Sequence, residues 1–292
     1  MLFYELQDLG WRASEKEFRV QVTQNFLRQE SNTISMTNSH NESQLQTQKL
    51  LLNYGITDRF DLYFETGYQS KLITRSNGMA SDQGVGATPL AIGVSYRVIE
   101  EYPAYANFDI ALSFSPKSDH IEIGSRRNVA NGGNVAELLL LVNKKVTIKH
   151  ELQFSYKFIH NSEKEIRIYT TPITFDPATN TVQNHHSLQF IHNYKFRPAS
   201  SLLSSFVIDQ IGEKKLKVPG IPMENTTQSS MELSLATGIR WNIAENHLFS
   251  FLIGAKWNGT QRTTSNINPD EKTQDQKAEF IQLQYTFAHQ FL

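Results

Sequence analysis

Apolar and polar side chains alternate with a period of two along most of this chain. Phe18, Val20 and Val22 stand between Arg19, Gln21 and Thr23, and Phe60, Leu62 and Phe64 alternate with Asp61, Tyr63 and Glu65. Ile148, Leu152, Phe154, Tyr156 and Phe158 interleave with Lys149, Glu151, Gln153 and Lys157. Near the end, Ile281, Leu283, Tyr285, Phe287 and Phe291 share one face, and Gln282, Gln284, Thr286 and Gln290 share the other. Such a period puts successive side chains on opposite faces of an extended strand. Collected along the chain, it predicts twelve strands at 17–28, 43–56, 59–72, 84–98, 105–116, 134–143, 147–159, 184–196, 201–211, 228–242, 247–258 and 277–291. Most are longer than the roughly 5–6 residues of a soluble strand and meet the about 9–11 that a tilted strand needs to cross a bilayer.

The connections alternate in length. Long polar loops follow the odd strands, at 29–42, 73–83, 117–133, 160–183, 212–227 and 259–276, and include Ser31-Asn32-Thr33 and Asn131-Gly132-Gly133-Asn134. Short turns follow the even ones: Thr57-Asp58, Ile99–Ala104, Lys144-Lys145, Arg197–Ser200 and Ile243–Asn246. An even strand count with this asymmetry, and both termini on the short side, is the layout of a bacterial outer-membrane barrel. A soluble sandwich has shorter strands and no such asymmetry. The fold class is therefore all-β, a transmembrane antiparallel β-barrel of twelve strands with both termini periplasmic. It spans 17–292, preceded at 1–16 by a periplasmic segment or a partial plug of the mouth.

Aromatic residues gather at the predicted strand ends. Tyr54, Phe60, Tyr96, Tyr105, Tyr194, Phe196, Trp241 and Phe291 fall on the short-turn side, and Phe26, Tyr68, Phe114, Phe158 and Trp257 lie toward the long loops. Amphipathic rings favour the headgroup level, so two girdles are expected; the alternative is the general preference of aromatics for strands. The last strand resembles the terminal strand by which outer-membrane proteins are recognised for assembly, with Phe291 as its closing aromatic.

Composition narrows the reading. A net charge of −1, with 20% charged residues, gives no reason to expect nucleic acid or an electrostatic membrane anchor. Without cysteine there is neither a disulfide framework nor a thiolate metal site. The longest apolar run is Leu138–Val142, far short of a membrane-spanning helix. Met1-Leu2-Phe3-Tyr4-Glu5 lacks a basic segment followed by an apolar core, so a mature outer-membrane chain without its signal peptide is expected.

If the apolar faces meet lipid, the other faces line a lumen. They carry Arg19, Asp61, Glu65, Arg97, Asp109, Lys149, Glu151, Lys157, Lys195, Asp209, Glu232, Arg240 and Lys256. The signs are mixed, and no single-sign ring of an ion-selective pore is visible. The expectation is a solvated lumen whose charges mostly pair across the wall; a dedicated substrate track is the alternative.

Catalytic and metal chemistry find little support. His185 and Ser187 share a strand face, where an imidazole can activate a hydroxyl, and Asn193 follows on that face. Outer-membrane phospholipases use a similar His-x-Ser arrangement, but the surrounding residues differ and this pair faces the lumen rather than lipid. His186 and His192 lie about 20 Å apart along a strand and cannot share an ion. Asp270, Glu271 and Asp275 lack the glycine-centred spacing of a calcium loop. No enzyme, metal or cofactor is expected.

The stretch Leu52-Asn53-Tyr54-Gly55-Ile56-Thr57-Asp58-Arg59-Phe60-Asp61-Leu62 resembles a recurring hairpin of outer-membrane transporter barrels grouped with the meta-pathway of phenol degradation. In it Gly55 permits a tight approach to the turn and Thr57-Asp58 form it. Gly84-Val85-Gly86-Ala87 then leads into Leu90–Val98, and Ala111–Lys117 follows Pro103, with departures at Ala87, Ser115 and Lys117. The resemblance covers about 45–120 and implies passage of small, often hydrophobic molecules, with no substrate-contacting residue to carry over. The expected function is thus an outer-membrane channel or transporter for small solutes. The alternative is a structural barrel of a cell-surface assembly, its lumen closed. Expected partners are outer-membrane lipid and lipopolysaccharide, the barrel-assembly machinery through the C-terminal strand, a small solute, and the protein partners of any surface complex.

Overall fold

The structure, a computed structural model, describes residues 13–34, 39–75, 80–100, 105–119, 121–123, 130–169, 175–220, 224–244, 246–265 and 270–290. Phe291 and residues 1–12 lie outside the described residues. Among the described residues the strands are β1 (Glu17–Ile34), β2 (Ser39–Thr57), β3 (Phe60–Arg75), β4 (Ala80–Ile99), β5 (Asn107–Ser115), β6 (Ile121–Ile123), β7 (Val135–Lys145), β8 (His150–Asn161) and β9 (Lys164–Tyr169). They continue as β10 (Phe175–Asn180), β11 (Gln183–Arg197), β12 (Ser200–Ile211), β13 (Lys214–Lys217), β14 (Glu224–Thr227), β15 (Ser230–Ala244), β16 (His247–Asn258), β17 (Gln261–Ser265) and β18 (Glu271–Gln290).

Twelve of these, all but β6, β9, β10, β13, β14 and β17, form an antiparallel wall that closes where β1 pairs with β18, from Glu17 opposite Gln290 to Ile34 opposite Lys272. Closure gives every wall strand two neighbours, the condition for a sheet to survive in lipid. The first residues of β1 and the last of β18 pair at the end of the barrel that carries the short turns.

Two of those turns are built alike. Thr57 Oγ1 accepts from the backbone N–H groups of Arg59 (3.2 Å) and Phe60 (3.0 Å). Thr147 Oγ1 does the same for Lys149 (3.2 Å) and His150 (3.0 Å). A hydroxyl that takes up turn donors competes with ladder pairing and so ends the strand. The second turn corrects the sequence expectation: β7 runs through Lys145, and Val146–Lys149 make the turn, with Ile148 projecting from it. The alternation of Ile148 with Lys149 is coincidental there.

The long connections are also different from the polar loops expected. β1 and β2 run on to Ile34 and back from Ser39, and β18 begins at Glu271. The remaining connections hold an upper tier in which β6 pairs in parallel with β9, and β9, β10, β13, β14 and β17 pair in succession up to β18. Above the membrane both faces of a strand meet water, so period-two hydrophobicity vanishes while pairing persists. The tier is pinned at the predicted Asn-Gly-Gly-Asn loop. Asn134 Oδ1 accepts from the Lys117 N–H and Asn131 Oδ1 from the Ser118 N–H, both at 2.9 Å, and Gly132 supplies a φ of +66°.

The outer face is apolar and exposed in a continuous belt that includes Phe64, Ile92, Leu112, Phe154, Phe206 and Ile253. A soluble protein does not leave such a belt in water. Phe154 stands in the middle of its strand, opposite Val142 and Phe190. Phe154→Arg should lower the unfolding free energy by about 2–4 kcal/mol in lipid, measured by denaturant titration of the refolded barrel. An effect below ~1 kcal/mol would place Phe154 at an interface rather than mid-bilayer.

Candidate functional site

The site is the interior of the barrel, and it divides into levels. At the short-turn mouth, Arg19 pairs with Glu17 at 2.7 Å, and Arg97 holds Asp109 through two N–H donors at 2.8 and 3.1 Å. Glu151 accepts from Asn143 (3.4 Å) and Asn193 (3.3 Å), and Arg240 is buried opposite Ser201 and Ser250. Ala13 is buried here, and the Ser14 backbone lies against Gly55, where any Cβ would collide with the Ser14 carbonyl oxygen. The Lys16 N–H donates to the Gly55 carbonyl at 2.8 Å. Gly55 has no left-handed φ, so this close approach, rather than the turn suggested by the hairpin resemblance, is what requires glycine.

The waist is packed. Lys49 pairs with Glu65 at 2.9 Å and Lys157 with Glu137 at 3.6 Å, while Asp61, directly opposite Gly55, is fully buried below them at the mouth. Between these polar groups lie two apolar clusters, Ala111 with Leu139 and Leu141, and Ile191 with Leu203 and Leu252. The Tyr63 ring covers Gly93 on the adjacent strand. A ring laid over a strand glycine fills the gap left by the missing side chain.

Toward the long-loop end, a groove of about 1060 Å³ runs along the outer face between two rows of outward side chains, Phe26, Leu72, Leu235, Ile253 and Ile281 among them. Behind its floor the interior holds a third cluster, Leu27, Leu45 and Ala278, with Phe280 packed on it and the Phe280 ring lying over Gly254. Beside it, Lys256 and Glu232 form a buried ion pair, and Asp209 lies opposite Glu232 across the β12–β15 ladder.

The predicted lumen residues Arg19, Asp61, Glu65, Arg97, Asp109, Glu151, Lys157, Asp209, Glu232, Arg240 and Lys256 therefore stand on the inner face, most within hydrogen-bond or ion-pair range of a neighbour. Lys149 and Lys195 do not join them: Lys149 belongs to the Val146–Lys149 turn and Lys195 is exposed at the rim, joined to it by its backbone N–H. Of the girdle residues, Tyr54, Tyr96 and Phe196 are exposed on the outer face near the short turns, with Phe60 and Tyr96 opposite each other. Trp241 stacks on Phe249 there and Tyr194 meets His150, whereas Trp257 is exposed toward the long loops.

The histidines are dispersed. His192 Nε2 contacts His150 Nδ1 at 3.0 Å, and His186 Nδ1 contacts the Tyr156 hydroxyl at 2.8 Å, all on the outer face. Asn193 is engaged by Glu151, so His185, Ser187 and Asn193 do not form a connected triad. Among the described residues no three His, Asp or Glu side chains gather around a point that could hold a metal.

The apolar inner residues escaped the sequence reading, which assigned every apolar face to lipid. Their signal was present as adjacent apolar pairs within a strand: Phe26-Leu27, Leu202-Leu203, Phe251-Leu252 and the run Leu138–Val142. Two neighbours of opposite parity point to opposite faces, so one of each pair must enter the barrel.

No known family profile matches the sequence, and no curated protein does. Among solved structures, the chain is similar to an outer membrane channel from Pseudomonas putida F1, at 13% identity and a TM-score of 0.62 over 98% of this chain and 100% of that one. It is also similar to the deltaS2 mutant of the TodX monoaromatic hydrocarbon channel, at 8% identity and a TM-score of 0.50 over 96% and 91% of the two chains. The fold is that of the outer-membrane β-barrels.

Proposed function

We propose that this chain resides in a bacterial outer membrane and admits small hydrophobic solutes through its lumen. The observation that carries the reading is a closed wall with an apolar outer face around an interior that sets apolar clusters at Leu27, Leu139 and Leu203 among paired charges. A lipid-facing belt calls for a membrane, and apolar side chains on the inside favour a guest that is not an ion alone. The structural neighbours, one an outer membrane channel and the other a monoaromatic hydrocarbon channel, agree with such a guest.

In this reading the termini and short turns are periplasmic and the upper tier faces outward, embedded among lipopolysaccharide. Residues 1–16 then serve as a partial plug of the periplasmic mouth, supported by the burial of Ala13 and the seat at Gly55. The inner charges, Arg97 with Asp109 and Lys49 with Glu65 among them, hold the wall together and polarise the path without favouring one ion sign. Kinship with the meta-pathway barrels, assembly through the C-terminal strand and the absence of catalysis belong to the same proposal.

A closed structural barrel is favoured by one observation, the waist, where Leu141, Ile191, Leu203 and Leu252 are shielded from solvent. Conductance of the refolded protein in a planar bilayer decides between the two, with a heat-modifiability gel to establish folding. Reproducible steps are expected; a folded barrel that stays silent would transfer the assignment to the structural reading.

A further inference from the structure

Two ion pairs stand on separate parts of the waist, and each turns one charge toward the other. On one side Lys49 of β2 pairs with Glu65 of β3 at 2.9 Å, and on the other Lys157 of β8 pairs with Glu137 of β7 at 3.6 Å. β3 and β8 are not neighbours; β4, β5 and β7 stand between them in the wall. One row of the ladder joins the two sides, with Tyr63 opposite Gly93, Gly93 opposite Ser113, and Ser113 opposite Glu137. Its middle members are small, so the wall recedes there and longer side chains from β3, β7 and β8 project over it. The Tyr63 ring lies on Gly93, and its hydroxyl is within hydrogen-bond reach of Ser113.

The two pairs act on each other across this recess. Lys157 is attracted by Glu65 as well as by Glu137, and Glu65 by Lys157 as well as by Lys49. From Lys49 to Glu137 the signs therefore run positive, negative, positive, negative, with Glu65 and Lys157 as the inner members. Arg97 with Asp109 and Glu232 with Lys256 join adjacent strands and lie along the wall, whereas Glu65 and Lys157 act across three intervening strands. Glu65 keeps 26% of its side chain exposed and Lys157 19%, so both still meet the lumen.

An ion that enters such a gap has shed water and meets a like charge about as near as an opposite one, so neither sign gains. Removing either charge leaves the other to choose the ion, as a ring of one sign does. We infer that Glu65 and Lys157 are the selectivity-determining residues of the lumen, a balanced pair across the waist that keeps the path from favouring cations or anions. The inference rests on the reading of the lumen as a solute path and adds which residues set its charge preference.

The test is the reversal potential of the refolded full chain in a phosphatidylcholine bilayer under a potassium chloride gradient. Wild type should reverse near zero. K157M, which keeps the side-chain length, should favour potassium by at least about threefold, the effect of one uncompensated charge a few ångströms from the ion. E65Q should favour chloride to a similar degree, and E65Q/K157M should reverse near zero again. A heat-modifiability gel establishes that each variant folds. K195M removes the same charge from the exposed rim and should behave as wild type does. Single variants that stay unselective, or that shift in the same direction, would overturn the inference. A wild type already selective for one ion would do so too, as would K195M shifting as far as K157M. Conductance separates the two proposals. A silent wild type with a conducting, potassium-selective K157M keeps the inference and refutes the open path, and a conducting wild type with unselective variants does the reverse. Silence in every protein overturns both.

Discussion

Glu232→Leu is expected to lower the stability of the folded barrel by about 3–5 kcal/mol, the usual consequence of removing one partner of a buried ion pair. Glu232 and Lys256 face each other on the inner wall with 7% and 4% of their surfaces exposed, so water does little to screen either. They are diagonal neighbours, Lys256 standing opposite Ser234 and Glu232 opposite Asn258, which holds the two side chains in contact without bending the wall. Leucine in place of Glu232 leaves the ammonium in a low-dielectric site with its closest carboxylate gone. The second variant isolates the cause: E232L/K256M removes both charges and should recover most of the loss, since a buried pair and a well-packed apolar pair are of similar stability. Denaturant titration of the refolded proteins gives both numbers. A double variant as unstable as E232L would assign the loss to packing or to the neighbouring Asp209 rather than to the pair.

The fold was legible because a membrane enforces what a soluble core only encourages. Outward residues such as Phe64, Phe154 and Ile281 have to be apolar in every strand, so the period of two survives along the whole wall, and twelve strands can be located from it. Beyond the lipid that pressure ends. Ile34, Ser39 and Glu271 are strand termini set by pairing with neighbours, a long-range property that Ser-, Thr- and Asn-rich segments do not announce locally. The site was legible only in part, for the same reason. The inner charges were found because polar parity marks them, whereas Leu27, Leu45 and Phe280 have the composition of lipid-facing residues and differ from them by parity alone.

Gly55→Leu is expected to raise the conductance of the refolded barrel severalfold while leaving its wall intact. Gly55 stands on the inner face of β2, near the short-turn end, and its bare Cα is the floor on which Ser14 rests. A leucine there occupies the position of the Ser14 carbonyl and removes room for the hydrogen bond between the Lys16 N–H and the Gly55 carbonyl. The segment at 13–16 then has to leave the mouth, because the alternative is to shift β2, which is held by β1 from Ser39 to Tyr54 and by β3 from Asn41 to Thr57. Ladder pairing at Tyr54 and Thr57 uses backbone groups that the substitution does not touch, so heat modifiability should be unchanged. Gly55→Ala makes the same collision with a smaller group and should act in the same direction, more weakly. If both variants fold and conduct as wild type does, the mouth segment is no part of the resistance, and the narrow point moves up to the waist at Leu141, Leu203 and Leu252. Small residues substituted at those three positions would then have to open the pore where Gly55→Leu had failed.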